Sequence, residues 1–196
     1  MSLQNEFWSG VDGDAYTERN RINFMDRVPF WTKILNLCAP ASVLDVGCNA
    51  GWNMEAIEYA SIAIDKPCVT RGCDINPRAV AEARAKGLNA YALQAEAINR
   101  MFGNGSHEMV VTSGVLIHVP PAKLSGVMNA IVQCTAKWVV AVEYVAEREE
   151  EVEYRGQSGL LWRRPFGRLY EEHGMRLIYE AEAEGFDRCR AWVLTR

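Results

Sequence analysis

Short apolar runs separated by helix-length segments constrain this chain more than any other feature. Residues Ser42–Gly47, Val69–Asp74, Asn89–Gln94, Glu108–Ser113 and Lys137–Glu143 are rich in β-branched and apolar types, with room for a helix between successive runs. Strands that alternate with helices are parallel, because the chain must cross back over the sheet before the next strand begins. Two further runs, Met175–Ala181 and Arg190–Thr195, have nothing helical between them and are expected to end the sheet as an antiparallel hairpin. The expectation is an α/β chain with a seven-stranded, mostly parallel sheet and helices on both faces.

Helix punctuation agrees with that reading. Asn76-Pro77 offers an N-cap followed by proline at the first helical position, and Gly87 stands where a C-terminal left-handed residue would close Pro77–Lys86. Pro120 and Pro121 start another helix to about Thr135, with Leu124, Val127, Met128, Ile131 and Val132 on one face. No repeat or low-complexity linker interrupts the 196 residues, so 1–196 is read as one domain. Within it lie an arm or lid over 1–26, a core over 41–143, an insert over 144–172 and the terminal hairpin over 175–196.

Composition then narrows the partners. A formal net charge of −4 argues against a phosphate-backbone binder, and no stretch approaches the roughly 18 to 20 apolar residues that a membrane-spanning helix needs. The cysteines, at 38, 48, 68, 73, 134 and 189, form no C-x-x-C pair and follow no secretory signal. Neither a zinc ribbon nor a disulfide framework is expected, and a reducing cytoplasm fits best. No His/Asp/Glu cluster has metal-ligand spacing, so no metal is expected.

The segment Ser42-Val-Leu-Asp45-Val-Gly47-Cys48-Asn49-Ala-Gly51-Trp52-Asn53 is an apolar strand ending in a glycine-containing turn that opens a helix. Such a turn lets backbone approach a nucleotide without a Cβ in the way, and the helix start offers free N–H groups. The dinucleotide fingerprint G-x-G-x-x-G and the P-loop lysine and hydroxyl are both absent. Asp74 ends the next strand, 23 positions after Gly51, near the spacing of a carboxylate that takes ribose hydroxyls. A plainer role, capping the Pro77 helix, stands beside it.

This pattern resembles the class I S-adenosylmethionine methyltransferases, with their Rossmann-like core. The resemblance implies that Gly47, Cys48, Asn49 and Gly51, with Trp52 and Asn53 at the helix start, hold the cofactor. It further implies that Asp74 and Ile75 bind its ribose, Ala95 and Glu96 meet its adenine, and Ser113 and Gly114 line the reaction centre. Asn49 departs from the commoner glycine at its position. A more specific resemblance, to the methylases associated with pseudaminic acid biosynthesis, rests on Phe7-Trp8-Ser-Gly, Tyr16-Thr-Glu-Arg19-Asn20, Gly114-Val-Leu-Ile-His118, Glu143-Tyr144, Tyr154-Arg155-Gly156 and Leu161-Trp162-Arg163-Arg164-Pro-Phe166. It implies a small, sugar-type acceptor.

Methyl transfer from a sulfonium is an in-line displacement, so alignment and exclusion of water are the protein's main tasks. Trp8, Tyr16 and Trp52 suit the sulfonium, and Arg19, three residues after Tyr16, suits a carboxylate. The alternatives are packing for Tyr16 and solvation for Arg19. For a hydroxyl acceptor, His118 is the candidate base, with Glu143 and Tyr144 as weaker ones; a structural or cofactor-side role for His118 stays open. His107 and His173 are expected to be solvated. Tyr154, Arg155, Trp162, Arg163 and Arg164 form a basic-aromatic cluster suited to an anionic acceptor such as a carboxylated or nucleotide-linked sugar. The acidic run Glu147–Glu153 beside it reads as a solvated, mobile loop.

Competing functions are methylation of tRNA or protein and a non-catalytic S-adenosylmethionine-binding module. Of the six tryptophans, Trp31, Trp138 and Trp192 read as core, and Trp8, Trp52 and Trp162 as walls of an active-site cavity.

Overall fold

In the computed structural model, which describes residues 3–196, the chain divides into two units, Met1–Ala95 and Glu96–Arg196. The first begins with helices α1 (Leu3–Ser9) and α2 (Val11–Arg19), a 3-10 turn over Phe24–Arg27, and α3 (Val28–Cys38). It continues with β1 (Ser42–Val46), α4 (Trp52–Ala63), β2 (Val69–Asp74), α5 (Pro77–Ala85) and β3 (Ala90–Ala92). The three strands are parallel, in register from Ser42↔Val69 to Val46↔Cys73 and from Gly72↔Ala90 to Asp74↔Ala92. Val43, Leu44 and Val46 of β1 are completely buried, and each such side chain contributes about 1.5–3 kcal/mol through removal from water.

Local chemistry sets the helix ends. Pro29 sits in the first turn of α3, where its missing N–H costs nothing, and Phe30, Trp31, Ile34, Leu35 and Cys38 form its buried stripe. At α5 the Asn76 side chain accepts from Ala79 N at 2.9 Å, as an N-cap should.

The N-terminal arm is helical and docked within its own unit. Asn76 Nδ2 donates to Asp14 Oδ1 at 2.9 Å and to the Trp8 carbonyl at 3.2 Å. Arg78 pairs with Glu18 at 2.7 Å, and Arg21 with Glu82 at 3.2 Å. Gly13 makes this approach possible: a Cβ there would overlap the Trp8 carbonyl and lie 2.7 Å from Asn76 Nδ2.

The second unit holds α6 (Ile98–Phe102), β4 (His107–Ser113), a 3-10 turn over Leu116–His118, α7 (Pro121–Cys134) and β5 (Thr135–Tyr144). Then come β6 (Glu150–Tyr154), β7 (Gln157–Arg163), α8 (Phe166–Glu172), β8 (Arg176–Glu182) and β9 (Cys189–Thr195). β4 and β5 are parallel; β9 is antiparallel to both β5 and β8, which realises the expected terminal hairpin. The fold class is α/β with a seven-stranded, mostly parallel sheet.

Three expectations need correction. The acidic run Glu147–Glu153 is loop only over 147–149, since Glu150–Tyr154 pairs with Gln157–Arg163 as a separate two-stranded ribbon. Arg155 and Gly156 both have positive φ, 54° and 75°, as a two-residue turn between right-twisted strands requires. His107 is not solvated: it is buried at the start of β4, with Nδ1 2.9 Å from Ser106 Oγ. Among the tryptophans, Trp162 is buried with Trp31 and Trp192, whereas Trp138 is half-exposed beneath Lys137.

Candidate active site

In the first unit the chemistry gathers at the carboxyl ends of β1 and β2. Gly47, Asn49 and Gly51 all have positive φ, 74°, 49° and 85°. Asparagine tolerates that conformation better than other side-chain-bearing residues, so Asn49 keeps the turn in shape where a glycine would be commoner. A Cβ on Gly51 would overlap Leu88, so that position is closed to larger residues. Gly47 N and Cys48 N both donate to the Cys73 carbonyl, at 2.7 and 2.9 Å, which ties the turn to the end of β2.

Asp74 completes the tie. Its Oδ2 accepts from Asn49 N and its Oδ1 from Asn76 N, each at 2.8 Å. Burial raises its carboxyl above the usual range, against the pull of the Asn76, Asn49 and Ile75 N–H groups. Asp74 is therefore not the cap of α5, which is Asn76.

Two residues that the sequence reading left out of the site lie beneath this turn. Asp45 is 1% exposed and neither carboxylate oxygen has a hydrogen-bond partner among the described residues. Burial pushes its pKa up to about 7; the Arg27 guanidinium lowers it and the Asp74 charge raises it. Arg27 Nη1 donates to Asn53 Oδ1 at 2.9 Å, and Trp31 Nε1 to the same oxygen at 3.3 Å. Asn53 thus anchors α3 to α4. Cys48 is buried, with its thiol held protonated by desolvation. Trp52 carries the Lys86 ammonium 3.1 Å over its ring centroid, and that ammonium also reaches the Ala50 carbonyl at 3.0 Å. Trp8 and Tyr16 pack edge to face, centroids 5.3 Å apart, while Arg19 is exposed.

In the second unit a separate group of residues gathers around the turn that follows β4. His118 Nδ1 lies 2.7 Å from the Leu160 carbonyl. A carbonyl can only accept, so Nδ1 carries the proton and Nε2 the lone pair. Desolvation lowers the pKa to about 4, against the effect of that hydrogen bond, and the ring is neutral at neutral pH. Glu143 is completely buried and accepts from Val115, Leu116 and Ile117 N–H at 3.3, 3.2 and 3.4 Å. Burial raises its pKa to about 7. With no exposed surface it cannot exchange a proton with an acceptor, and a direct catalytic role does not fit.

The expected arginine cluster does not converge. Arg163 faces Glu150 across the ribbon at 3.7 Å, Arg155 lies exposed at the ribbon's tip, and Arg164 is fully buried. Tyr154 stacks edge-on to His118 at 5.3 Å, and Tyr144 is half-buried at the end of β5. Glu96 pairs with Lys123 at 3.0 Å; Ala95 begins the short 3-10 turn before α6. Ser113 and Gly114 are half-buried, Gly114 N donating to the Val142 carbonyl at 2.9 Å. No group of three or more metal-ligating side chains occurs among the described residues.

Residues 43–137 match the family described as the methyltransferase domain. Solved structures agree in fold. The 1,6-didemethyltoxoflavin-N1-methyltransferase of Burkholderia thailandensis, with 1,6-didemethyltoxoflavin and S-adenosylhomocysteine bound, superposes with TM-score 0.72 at 12% identity, over 99% of this chain and 87% of its own. The magnesium protoporphyrin IX methyltransferase of Synechocystis PCC 6803, with S-adenosylhomocysteine bound, gives 0.70 at 14% identity over 98% and 97%. A sugar N-methyltransferase from Streptoalloteichus sp ATCC 53650 gives 0.67 at 14% identity over 96% and 93%. No curated protein matches the sequence.

The segment so matched contains the turn, Asp45, Asp74 and His118. Arg27 and Arg164 lie outside it, and no spacing rule marks either in the sequence.

Proposed function

We propose that this methyltransferase domain uses S-adenosylmethionine and acts on a small molecule of sugar or nonulosonic-acid type. The observation that carries the cofactor reading is the turn of three left-handed residues, 47, 49 and 51, bonded at 2.8 Å to the strand-end carboxylate of Asp74. The residues fit the group: the orphaned oxygens of Asp45 are acceptors awaiting a cation such as an ammonium, and Asp74 retains lone pairs for ribose hydroxyls. Arg19 is available for a carboxylate, Tyr16 and Trp8 for the sulfonium, and Ile75, Ala95 and Glu96 for the adenine side. When bound, S-adenosylmethionine supplies an activated methyl group.

The chain's own part is binding, alignment and proton removal. His118, neutral and with its lone pair on Nε2, is suited to accept a hydroxyl proton as the new bond forms. Trp8, Tyr144, Tyr154, Arg155 and Arg163 are the candidates for acceptor binding; Arg155, exposed at the ribbon's tip, is the charge best placed to meet an anionic acceptor. Trp162, being buried, supports that ribbon. The sugar assignment rests on the resemblance to pseudaminic acid-associated methylases, and one fold neighbour is a sugar methyltransferase. The free cysteines fit a reducing compartment such as the cytoplasm.

Calorimetry with S-adenosylhomocysteine tests the first half. Binding is expected, and Asp74→Ala should weaken it at least about tenfold, as loss of a charge-assisted hydrogen bond implies. Absence of binding by the unaltered protein would sink the reading. Incubation with labelled S-adenosylmethionine and a panel of nucleotide-linked sugars, peptides and tRNA tests the second half. Label in peptide or tRNA alone would replace the sugar assignment.

A further inference from the structure

Two charged groups on different elements grip the same short turn. Glu143, in β5, takes the N–H groups of Val115, Leu116 and Ile117 on its two oxygens. Arg164, just beyond β7, donates Nη1 to the Leu116 carbonyl at 2.9 Å, while its Nε meets Glu149 at 2.7 Å. Four residues earlier in the same ribbon, the Leu160 carbonyl takes Nδ1–H of His118. Leu116–His118 is thus held on its N–H side by a carboxylate, on its C=O side by a guanidinium, and at its last side chain by a strand carbonyl. We propose that Glu143 and Arg164 are positioning residues that fix the orientation and tautomer of His118 by clamping the 116–118 turn against the β6–β7 ribbon.

Stability alone does not account for the arrangement. Arg164 is 0% exposed, and burying a guanidinium costs more than packing an apolar chain of similar volume. Its Nη2 has no hydrogen-bond partner among the described residues, so the polar cluster is incompletely satisfied. A group retained at such cost is explained by the geometry it imposes. The same geometry defines what the ring can do: with Nδ1–H directed at Leu160, only Nε2 can accept a proton. Tyr154, on β6, is a titratable group of the ribbon that packs edge-on to the imidazole.

The inference deepens the methyl-transfer reading, since it concerns the proposed base, but its test needs no acceptor. Nitrogen-15 NMR of the full chain follows the tautomer and titration of His118, its signals assigned by their loss in His118→Asn. In the unaltered protein the ring should hold the Nδ1–H tautomer and titrate near pH 4. In Arg164→Met and Glu143→Gln the tautomers should mix, and the titration should move up by about one unit or more as water reaches the ring. Arg164→Lys, which keeps a donor and the charge, should recover most of the unaltered behaviour. Affinity for S-adenosylhomocysteine should stay within about twofold in all three, because the cofactor-side residues are untouched. Wild-type tautomer and titration in Arg164→Met overturn the proposal. If that variant does not fold, the same result in Glu143→Gln overturns it. Failure of the unaltered protein to bind S-adenosylhomocysteine removes the methyl-transfer reading and leaves the clamp to be decided by the NMR alone.

Discussion

Single residues in this chain carry more than their neighbours in the sequence reveal. Asp45 reads as one polar position in an apolar strand, yet it is a buried carboxylate without a partner. Its pKa rises from 3.8 to about 7 on folding, so between those values the folded chain holds a proton that the unfolded chain has lost. Its contribution to stability is therefore complete below about pH 4 and declines as pH rises through 7. Asp45→Asn, neutral at every pH, should match the unaltered protein in melting temperature near pH 4 and exceed it at pH 8, while losing affinity for S-adenosylhomocysteine. Melting curves across that range decide the matter; a constant difference would mean that Asp45 does not titrate. The carboxylates at 45 and 74 and the glycines at 47 and 51 are legible as residue types in a pattern. Arg27 is not, and Arg164 shows only as one charge of a basic-aromatic run, because a buried arginine has no periodicity of its own and is recognised only by what surrounds it.

At the scale of elements, apolar runs made the seven strands of the main sheet legible to within about two residues, most plainly β1, β4 and β5, because a strand buried on both faces must be continuously apolar. The β6–β7 ribbon was hidden for the converse reason. Glu150–Tyr154 is largely exposed and its alternation is limited to Val152 and Tyr154 within an acidic run, and its turn uses Arg155 where asparagine would advertise positive φ. For the arm expected over 1–26, of which residues 1 and 2 lie outside the described residues, the helices over 3–9 and 11–19 and the bonds to Asn76, Arg78 and Glu82 were not legible. Asn76 caps α5 and also reaches both arm helices, through Trp8 and Asp14. Asn76→Ala should cost about 1 kcal/mol from the cap alone, lowering the melting temperature by roughly 2–4 °C. Limited proteolysis should then cut within residues 3–27 sooner than in the unaltered chain. Unchanged cleavage would show that the Arg78–Glu18 and Arg21–Glu82 pairs suffice.

For the whole molecule, fold and chemistry have different ranges of legibility. Likeness to solved methyltransferases extends over nearly the entire chain at 12–14% identity, as expected when the constraint is layer packing rather than any particular side chain. No helix among the described residues is long and apolar enough to cross a membrane. Acceptor recognition was expected in 1–26 and 144–172, and in the latter the arginines part company, one exposed, one paired and one buried. The ribbon they occupy has consequences in time as well as space. Two strands paired only to each other open more readily than strands inside a sheet, so the β6–β7 amides should exchange with deuterium well before those of β5 and β9. Equal protection would mean that the ribbon unfolds only with the core. Each opening also releases the carbonyl that holds Nδ1–H of His118, so the exchange rate of Leu160 and its neighbours becomes a clock for how long the imidazole keeps one protonation pattern.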